Sequence, residues 1–379
     1  MIIRNAKVFL DGKFVKTDVT FDRIVTHIGE AASAGAGFDA EGLFLIPGLV
    51  DIHSHGAVGE DAGDGSVKGL EAMSRFYAKG GVTSWCPTTM TVPEAEILSS
   101  IDAVNHFVRP ADGARLAGIN LEGPFLCYEK RGAQAAENLR LPDIRLFDNF
   151  FTAANGKIKL VSVACEKNGA MEFISAVSKK SNVSLGHSIA DYETSMKAFA
   201  SGANHVTHIF NGMSPFAHRE PGIIGAAFDA NRLSDAAPVS VEIICDGLHI
   251  HPSVVRACFK LFGRNMVLIS DSLRCTGMPD GEYTLGGQPI TMSNGRATLS
   301  GTQTLAGSSI HLMEAVRRAV SFGIPLEQAV YAASTAPAKS IGIAAGRICT
   351  GENADLVLID SSINVVKVFI DGQEILADN

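Results

Sequence analysis

The sequence predicts an α/β protein, a (β/α)8 TIM-like barrel with a small β-sandwich domain formed from both chain termini. Three observations predict it. Eight short apolar runs alternate with helical stretches through the middle of the chain. The two ends share a different pattern, alternating apolar and polar. Lys367-Val368-Phe369-Ile370-Asp371-Gly372 nearly echoes Lys7-Val8-Phe9-Leu10-Asp11-Gly12. A barrel of about 250 residues plus a small accessory domain uses the full length of 379. The expected division is residues 1–45 and 345–379 for the two parts of the β-sandwich domain and 46–344 for the barrel.

Within residues 1–45, Asp11-Gly12 lies between Val8-Phe9-Leu10 and Phe14-Val15, the signal of a two-residue hairpin. The barrel opens with Ile46-Pro47-Gly48-Leu49-Val50-Asp51-Ile52-His53-Ser54-His55-Gly56, an apolar run of the kind buried on both faces. Further runs follow at 82–87, 116–122, 159–164, 183–187, 205–209, 240–246 and 266–271, which makes eight. Helical signals separate most of them, such as Pro93-Glu94-Ala95-Glu96-Ile97-Leu98 and the stretch 191–199 with Asp191 as N-cap. Asp280-Gly281, Gly286-Gly287 and Asn294-Gly295 mark an inserted hairpin or two before a last pair of helices near 309–322 and 326–340.

Composition excludes several functions. The formal net charge is −8 and Lys and Arg are scattered, so there is no basic face for nucleic acid or acidic lipid, and an anionic ligand must be met by a local cation. The seven cysteines are odd in number, widely spaced and without Cys-x-x-Cys, which predicts reduced thiols in a cytoplasmic protein. The N-terminal run is broken by Arg4 and Lys7 and reads as a strand, and no window has the length and apolarity of a membrane span.

A barrel of this kind places its active site at the C-terminal strand ends, so each strand is read at its last residues. The first ends in His53 and His55, the third in Glu122, the fifth in His187, the sixth in His208 and the eighth in Asp271. Four imidazoles and a carboxylate suit a divalent metal, zinc foremost with iron or another transition metal as alternatives, and the donors suffice for one or two ions per subunit. Such an ion makes hydroxide available at neutral pH for attack on a carbonyl. Asp271 is the candidate general base that takes the proton and, as acid, returns it to a departing amine.

The order His-x-His, Glu, His, His, Asp resembles the amidohydrolase superfamily. The segments Leu121-Glu122-Gly123-Pro124-Phe125-Leu126, Gly186-His187-Ser188, Thr207-His208-Ile209-Phe210-Asn211-Gly212-Met213, His218-Arg219-Glu220-Pro221-Gly222, Asp246-Gly247-Leu248-His249, Ser270-Asp271 and Leu305-Ala306-Gly307-Ser308 are similar to its N-acetylglucosamine-6-phosphate deacetylase family. The resemblance implies that Glu122, His187 and His208 hold the principal metal, with His53 and His55 placing the chain among two-metal members, and that Asp271 is the acid/base. It implies substrate contacts from Asn211, Gly212, Arg219, His249 and the turn Leu305, Ala306, Gly307. Arg219 and His249 would reach the phosphate of a neighbouring subunit's substrate, which implies a homodimer with shared sites. The implied partner is a phosphorylated amino sugar. The galacto epimer of the substrate and another amide hydrolysis, such as that of a D-aminoacylase, are the alternative activities.

Two departures stand out. The family has a histidine near the Gly132-Ala133 turn, where this chain has Gln134, an amide able to donate a hydrogen bond to the substrate carbonyl but unable to become charged. After Asp271 the family continues with small residues, whereas here Arg274 follows, read as a solvated loop residue or a second anion contact.

Overall fold

The computed structural model describes residues 1–30, 37–233 and 238–375; positions 31–36 and 376–379 of the expected terminal segments, and 234–237, lie outside the described residues. Both chain ends enter one mixed sheet. Ile2–Leu10 pairs antiparallel with Lys13–Phe21 and parallel with Phe44–Pro47, which pairs antiparallel with Leu356–Ile359, and that strand with Val365–Ile370. The echoed Asp-Gly turns are alike in three dimensions. Asp11 and Gly12 have φ of 48° and 89°, Asp371 and Gly372 of 51° and 71°, the left-handed pair that matches a two-residue hairpin to the twist of its strands. The sheet curls round its own small core, in which Phe21 meets Phe369 edge-on at 5.2 Å.

The chain leaves this sheet after Pro47 and enters a parallel strand circuit at Leu49, crossing at Gly48, where a Cβ would come within 2.2 Å of Thr83 Oγ1. The circuit's strands are β1 (Leu49–Ser54), β2 (Val82–Pro87), β3 (Ile119–Leu121), β4 (Ile158–Val163), β5 (Asn182–Leu185), β6 (His205–Val206), β7 (Ser240–Ile244) and β8 (Met266–Ile269). The third expected run is split, because Arg115–Leu116 pairs with β2 before the chain turns at Gly118 into β3. Neighbours in sequence are neighbours in space and parallel throughout. β1 pairs β2, a bridge between Thr88 and Asn120 joins β2 to β3, and β3 to β8 form one sheet. The eighth strand meets the first where the Asp271 N–H donates to His53 O at 2.9 Å and His55 N–H to Ser272 O at 2.9 Å.

A helix follows each strand: Val67–Lys79, Glu94–His106, Ile144–Ala153, Ala170–Val177, Tyr192–Ala200, Gly222–Leu233, Pro252–Phe262 and Leu312–Ser321. Asp191 caps its helix as the sequence predicts, accepting from Thr194 N–H at 2.8 Å. The strands carry side chains to two cores. Val50, Ile52, Leu160, Ile244, Val267 and Ile269 form one cluster, while Trp85, Tyr77, Phe147 and Phe173 belong to a larger cluster with the helices. Between β8 and its helix an antiparallel three-stranded insertion (281–285, 288–293, 296–299) realises the expected hairpins. Among the described residues no helix is long and apolar enough to cross a membrane.

Candidate metal centre and active site

The strand ends bring His53, His55, Glu122, His187, His208 and Asp271 together, all buried. His53 and His55, two residues apart, share one side of the end of β1. His187, His208 and Asp271 each lie two residues beyond their strands with φ of 47°, 24° and 49°. A left-handed backbone costs an L-residue roughly 1–2 kcal/mol, and at three strand ends that cost turns a side chain toward one point.

Glu122 stands at the centre. Its Oε1 lies 3.1 Å from His187 Nε2, 2.9 Å from His208 Nε2 and 3.6 Å from His53 Nε2, and its Oε2 lies 3.2 Å from His55 Nε2. Asp271 Oδ1 is 3.5 Å from His53 Nε2 and 3.3 Å from His55 Nε2. The other ring nitrogens decide the tautomers. His187 Nδ1 is 2.7 Å from Lys130 O, His55 Nδ1 3.2 Å from Thr88 O, and His53 Nδ1 2.9 Å from Glu242 Oε2. Each acceptor takes an Nδ1–H, so three rings turn an Nε2 lone pair inward.

These donors fit a divalent cation. The Nε2 atoms of His187 and His208 stand 3.1 Å apart, and His53 Nε2, wholly buried, has no hydrogen-bond partner among the described residues. Inward lone pairs at that spacing repel unless a proton or a cation lies among them. Donors about 2.0–2.1 Å from a tetrahedral ion are about 3.3 Å from one another, close to the spacings here. Two overlapping triads, His53/His55/Asp271 and His53/Glu122/His208, each converge on one point.

Electrostatics agree. Burial disfavours charge on Glu122, but His53, His187 and His208 outweigh it and hold the carboxyl well below the usual range. Asp271 is likewise lowered against its burial, by His55 and His53. Burial opposes a proton on His55, yet Asp271 and Glu122 raise the ring to about 9. The field that would hold those protons would equally hold a cation.

Above the centre lies a cavity of about 370 Å3, lined by His55, Glu122, His187, His208 and Asp271 and by Gly132, Ala133, Gln134, Asn211, Gly212, His249, Leu305 and Gly307. Of the expected substrate residues, Ala306 is buried behind this lining and Arg219 lies elsewhere, in a groove of about 800 Å3 with Asp191 and Tyr192, its guanidinium 2.9 Å from His218 Nε2. His249 is held by Asp246, 2.7 Å from its Nδ1.

Gln134 is bound into the centre itself. Its Nε2 donates to Glu122 Oε2 at 2.8 Å and its Oε1 accepts the Thr91 N–H at 2.7 Å. Arg274, read as a solvated loop residue or a second anion contact, is partly buried and its guanidinium is engaged by the protein's own groups. It pairs with Asp64 at 2.7 Å, donates to Thr284 O at 2.9 Å, and ties the loop after β1 to the insertion. Sequence reasoning missed Glu242. A lone carboxylate in the apolar run of β7 was its signal, and it accepts from both His53 and His205, the latter at 3.0 Å.

The amidohydrolase family profile matches residues 44–375. The chain is 35% identical over 334 residues to the N-acetylglucosamine-6-phosphate deacetylase of Vibrio furnissii, covering 87% of this chain and 82% of that protein. It is also 35% identical over 341 residues to the N-acetylgalactosamine-6-phosphate deacetylase of Escherichia coli O157:H7, covering 88% of each. A solved structure of an N-acetyl-D-glucosamine-6-phosphate deacetylase variant from Mycobacterium smegmatis, in complex with N-acetyl-D-glucosamine-6-phosphate, superposes with a TM-score of 0.91 at 28% identity, over 100% of this chain and 99% of that one.

Proposed function

The chain belongs to the amidohydrolase family, and from that premise we propose that it removes acetate from N-acetylglucosamine 6-phosphate, giving glucosamine 6-phosphate. The observation that carries this reading is the convergence of inward Nε2 atoms, Glu122 and Asp271 at the base of one cavity of about 370 Å3. We read the strand circuit as a closed (β/α)8 barrel and the curled terminal sheet as its β-sandwich companion. Residues 1–45, 46–344 and 345–379 form the three segments, with Phe44–Pro47 spanning the first boundary.

In this reading Glu122, His187 and His208 hold the principal ion, and His53, His55 and Asp271 a second, with zinc the metal. A divalent ion there polarises the amide carbonyl and acidifies water. The chain's own residues do the rest. Asp271, charged when resting because its carboxyl is lowered, takes the proton of the attacking water and passes it to the departing amine. Ala133 and Gln134 meet the acetamido group, Gln134 with the N–H that Glu122 leaves over. Asn211, Gly212, Leu305 and Gly307 hold the sugar, with Ala306 packed behind their turn, while His249, expected to join Arg219 at a neighbouring subunit's phosphate, lines the same cavity as Asp271.

Arg219 is the cation for the phosphate. That it lines a different groove from Asp271 supports the reading that it serves the site of a second subunit, in a homodimer with shared sites. Mixing Arg219→Ala with Asp271→Asn protein restores activity if sites are shared; no recovery refutes the sharing. Seven cysteines without a disulfide, Cys349 exposed, support a cytoplasmic setting.

The substrate is tested by acetate release from the N-acetylglucosamine and N-acetylgalactosamine 6-phosphates side by side, as two values of kcat/KM. The galacto reading has its own support, since the relative named for that substrate is as similar as the one named for the gluco epimer. A preference for the gluco sugar upholds the proposal, a galacto preference replaces the substrate, and hydrolysis of neither removes the phosphosugar assignment.

A further inference from the structure

Four imidazoles face the centre, and one is supported differently from the rest. His55 and His187 rest their Nδ1 on main-chain carbonyls, those of Thr88 and Lys130. His208 Nδ1 has no hydrogen-bond partner among the described residues. His53 alone rests on a carboxylate, Glu242, at 2.9 Å. Glu242 is 1% exposed, and both its oxygens are engaged. Oε2 takes the His53 ring N–H and the His208 main-chain N–H at 3.2 Å, and Oε1 takes His205 Nε2 at 3.0 Å. A carboxylate sits inside β7 among apolar neighbours because three donors from two other strand ends, β1 and β6, converge on it. Without them its burial would cost several kcal/mol.

Resting on the reading that the strand ends hold divalent ions, we propose that Glu242, braced by His205, is a positioning residue that acts first on the second ion, setting how tightly the His53/His55/Asp271 site binds and, through the His53 that both triads share, affecting the Glu122/His187/His208 site less. A charged acceptor behind an imidazole fixes its tautomer and increases the basicity of the opposite nitrogen, and loss of such a partner lowers metal affinity by about 10–100-fold. Glu242 acts in this way on one ring only. Its contact with His208 is through the main chain, not the ring, and it reaches Glu122 only through His53, whose Nε2 lies 3.6 Å from Glu122 Oε1. The two sites are therefore built to differ. The principal one rests on neutral or absent acceptors, and the second is set by a buried charge that can be removed separately.

Glu242→Gln is the test. The amide is isosteric but uncharged and has one acceptor oxygen where the carboxylate uses two, one toward His53 and the other toward His205. Metal-stripped wild-type and variant proteins are titrated with cobalt(II), following ligand-field absorption and, by equilibrium dialysis, the number of ions bound. The expected result is two binding steps in the wild type, with the second weakened about 10–100-fold in the variant and the first weakened less. Glu242→Asp, which keeps the charge, recovers part of the loss. An unchanged second step overturns the proposal, as does equal weakening of both, which reports general loosening. A wild type that binds no cobalt refutes the ion-site reading itself, an outcome distinct from either. If Glu242→Gln does not accumulate folded, 15N-histidine NMR of the zinc-loaded wild type decides. A hydrogen-bonded proton on His53 Nδ1 upholds the proposal, and a proton on its Nε2 overturns it.

Discussion

Replacing Gln134 by alanine tests whether this side chain is part of the centre or a free arm of the cavity wall. Gln134 is 5% exposed and joins the Thr91 N–H to the Glu122 carboxylate. Removing it deletes a hydrogen bond to a charged acceptor, about 1.5–3 kcal/mol, and strands the buried Thr91 N–H, about 1–3 kcal/mol. The cavity lies alongside and water can relieve part of the second cost, so we take about 2.5–5 kcal/mol in all. Unfolding entropy near 2.1 cal/mol/K per residue over 379 residues makes each degree of Tm worth about 0.8 kcal/mol. Gln134→Ala therefore lowers Tm by about 3–6 °C. Calorimetry on metal-free protein is the assay, because bound metal would add its own stabilisation and mask the difference. A change below about 1 °C would refute the argument. Gln134 would then not be locked between Thr91 and Glu122, and its whole amide would be free to face the substrate.

Cation affinity rises with pH and levels off above about 9, because a proton must leave His55 before its Nε2 can bind. For that proton the change between pH 7 and 9 is about 50-fold, measurable by chelator competition; a flat profile contradicts the burial and pairing of the ring. The same shift stabilises the metal-free fold. His55 is raised above its ordinary 6.5, so its contribution is complete below about 6.5 and is lost as pH climbs through about 9. Gly212→Ala sets a Cβ 2.8 Å from His187 Nδ1 at a φ of +59°. It is expected to displace that ring from Lys130 O and to lower kcat by at least about tenfold, and unchanged kinetics would refute the packing. Arg115 binds Asp355 bidentately and Asp371 at 2.7 Å, holding the terminal sheet to the strand circuit. With the guanidinium a quarter exposed, Arg115→Ala costs about 2–3 kcal/mol and leaves kcat unchanged. A fall in kcat without a fall in Tm would contradict the assignment.

What the sequence disclosed, and what it concealed, divides along the reach of each interaction. His53, His55, Glu122, His187, His208 and Asp271 were legible because a strand buried on both faces is an apolar run, and a polar residue at its last position stands out. The Asp-Gly hairpins were legible because a left-handed pair is a local demand. Glu242 was concealed by the same rule that exposed the others. One carboxylate in Val241-Glu242-Ile243-Ile244 looks like a strand with a wet face, and only the convergence of His53, His205 and the His208 main chain makes it a buried partner. His205 was readable as a buried histidine, by its spacing from His208, but not as a donor, since its acceptor is 37 residues away. Gln134 shows the limit most clearly. Its residue type suggested a donor aimed at the substrate, but not that its oxygen is taken by Thr91, 43 residues earlier in the chain and brought beside it by the closure of neighbouring strands. Residue type and period can be read along the chain. The acceptor a side chain finally chooses is fixed by its neighbours in space, and at this centre that choice separates a ligand from the residue that holds it.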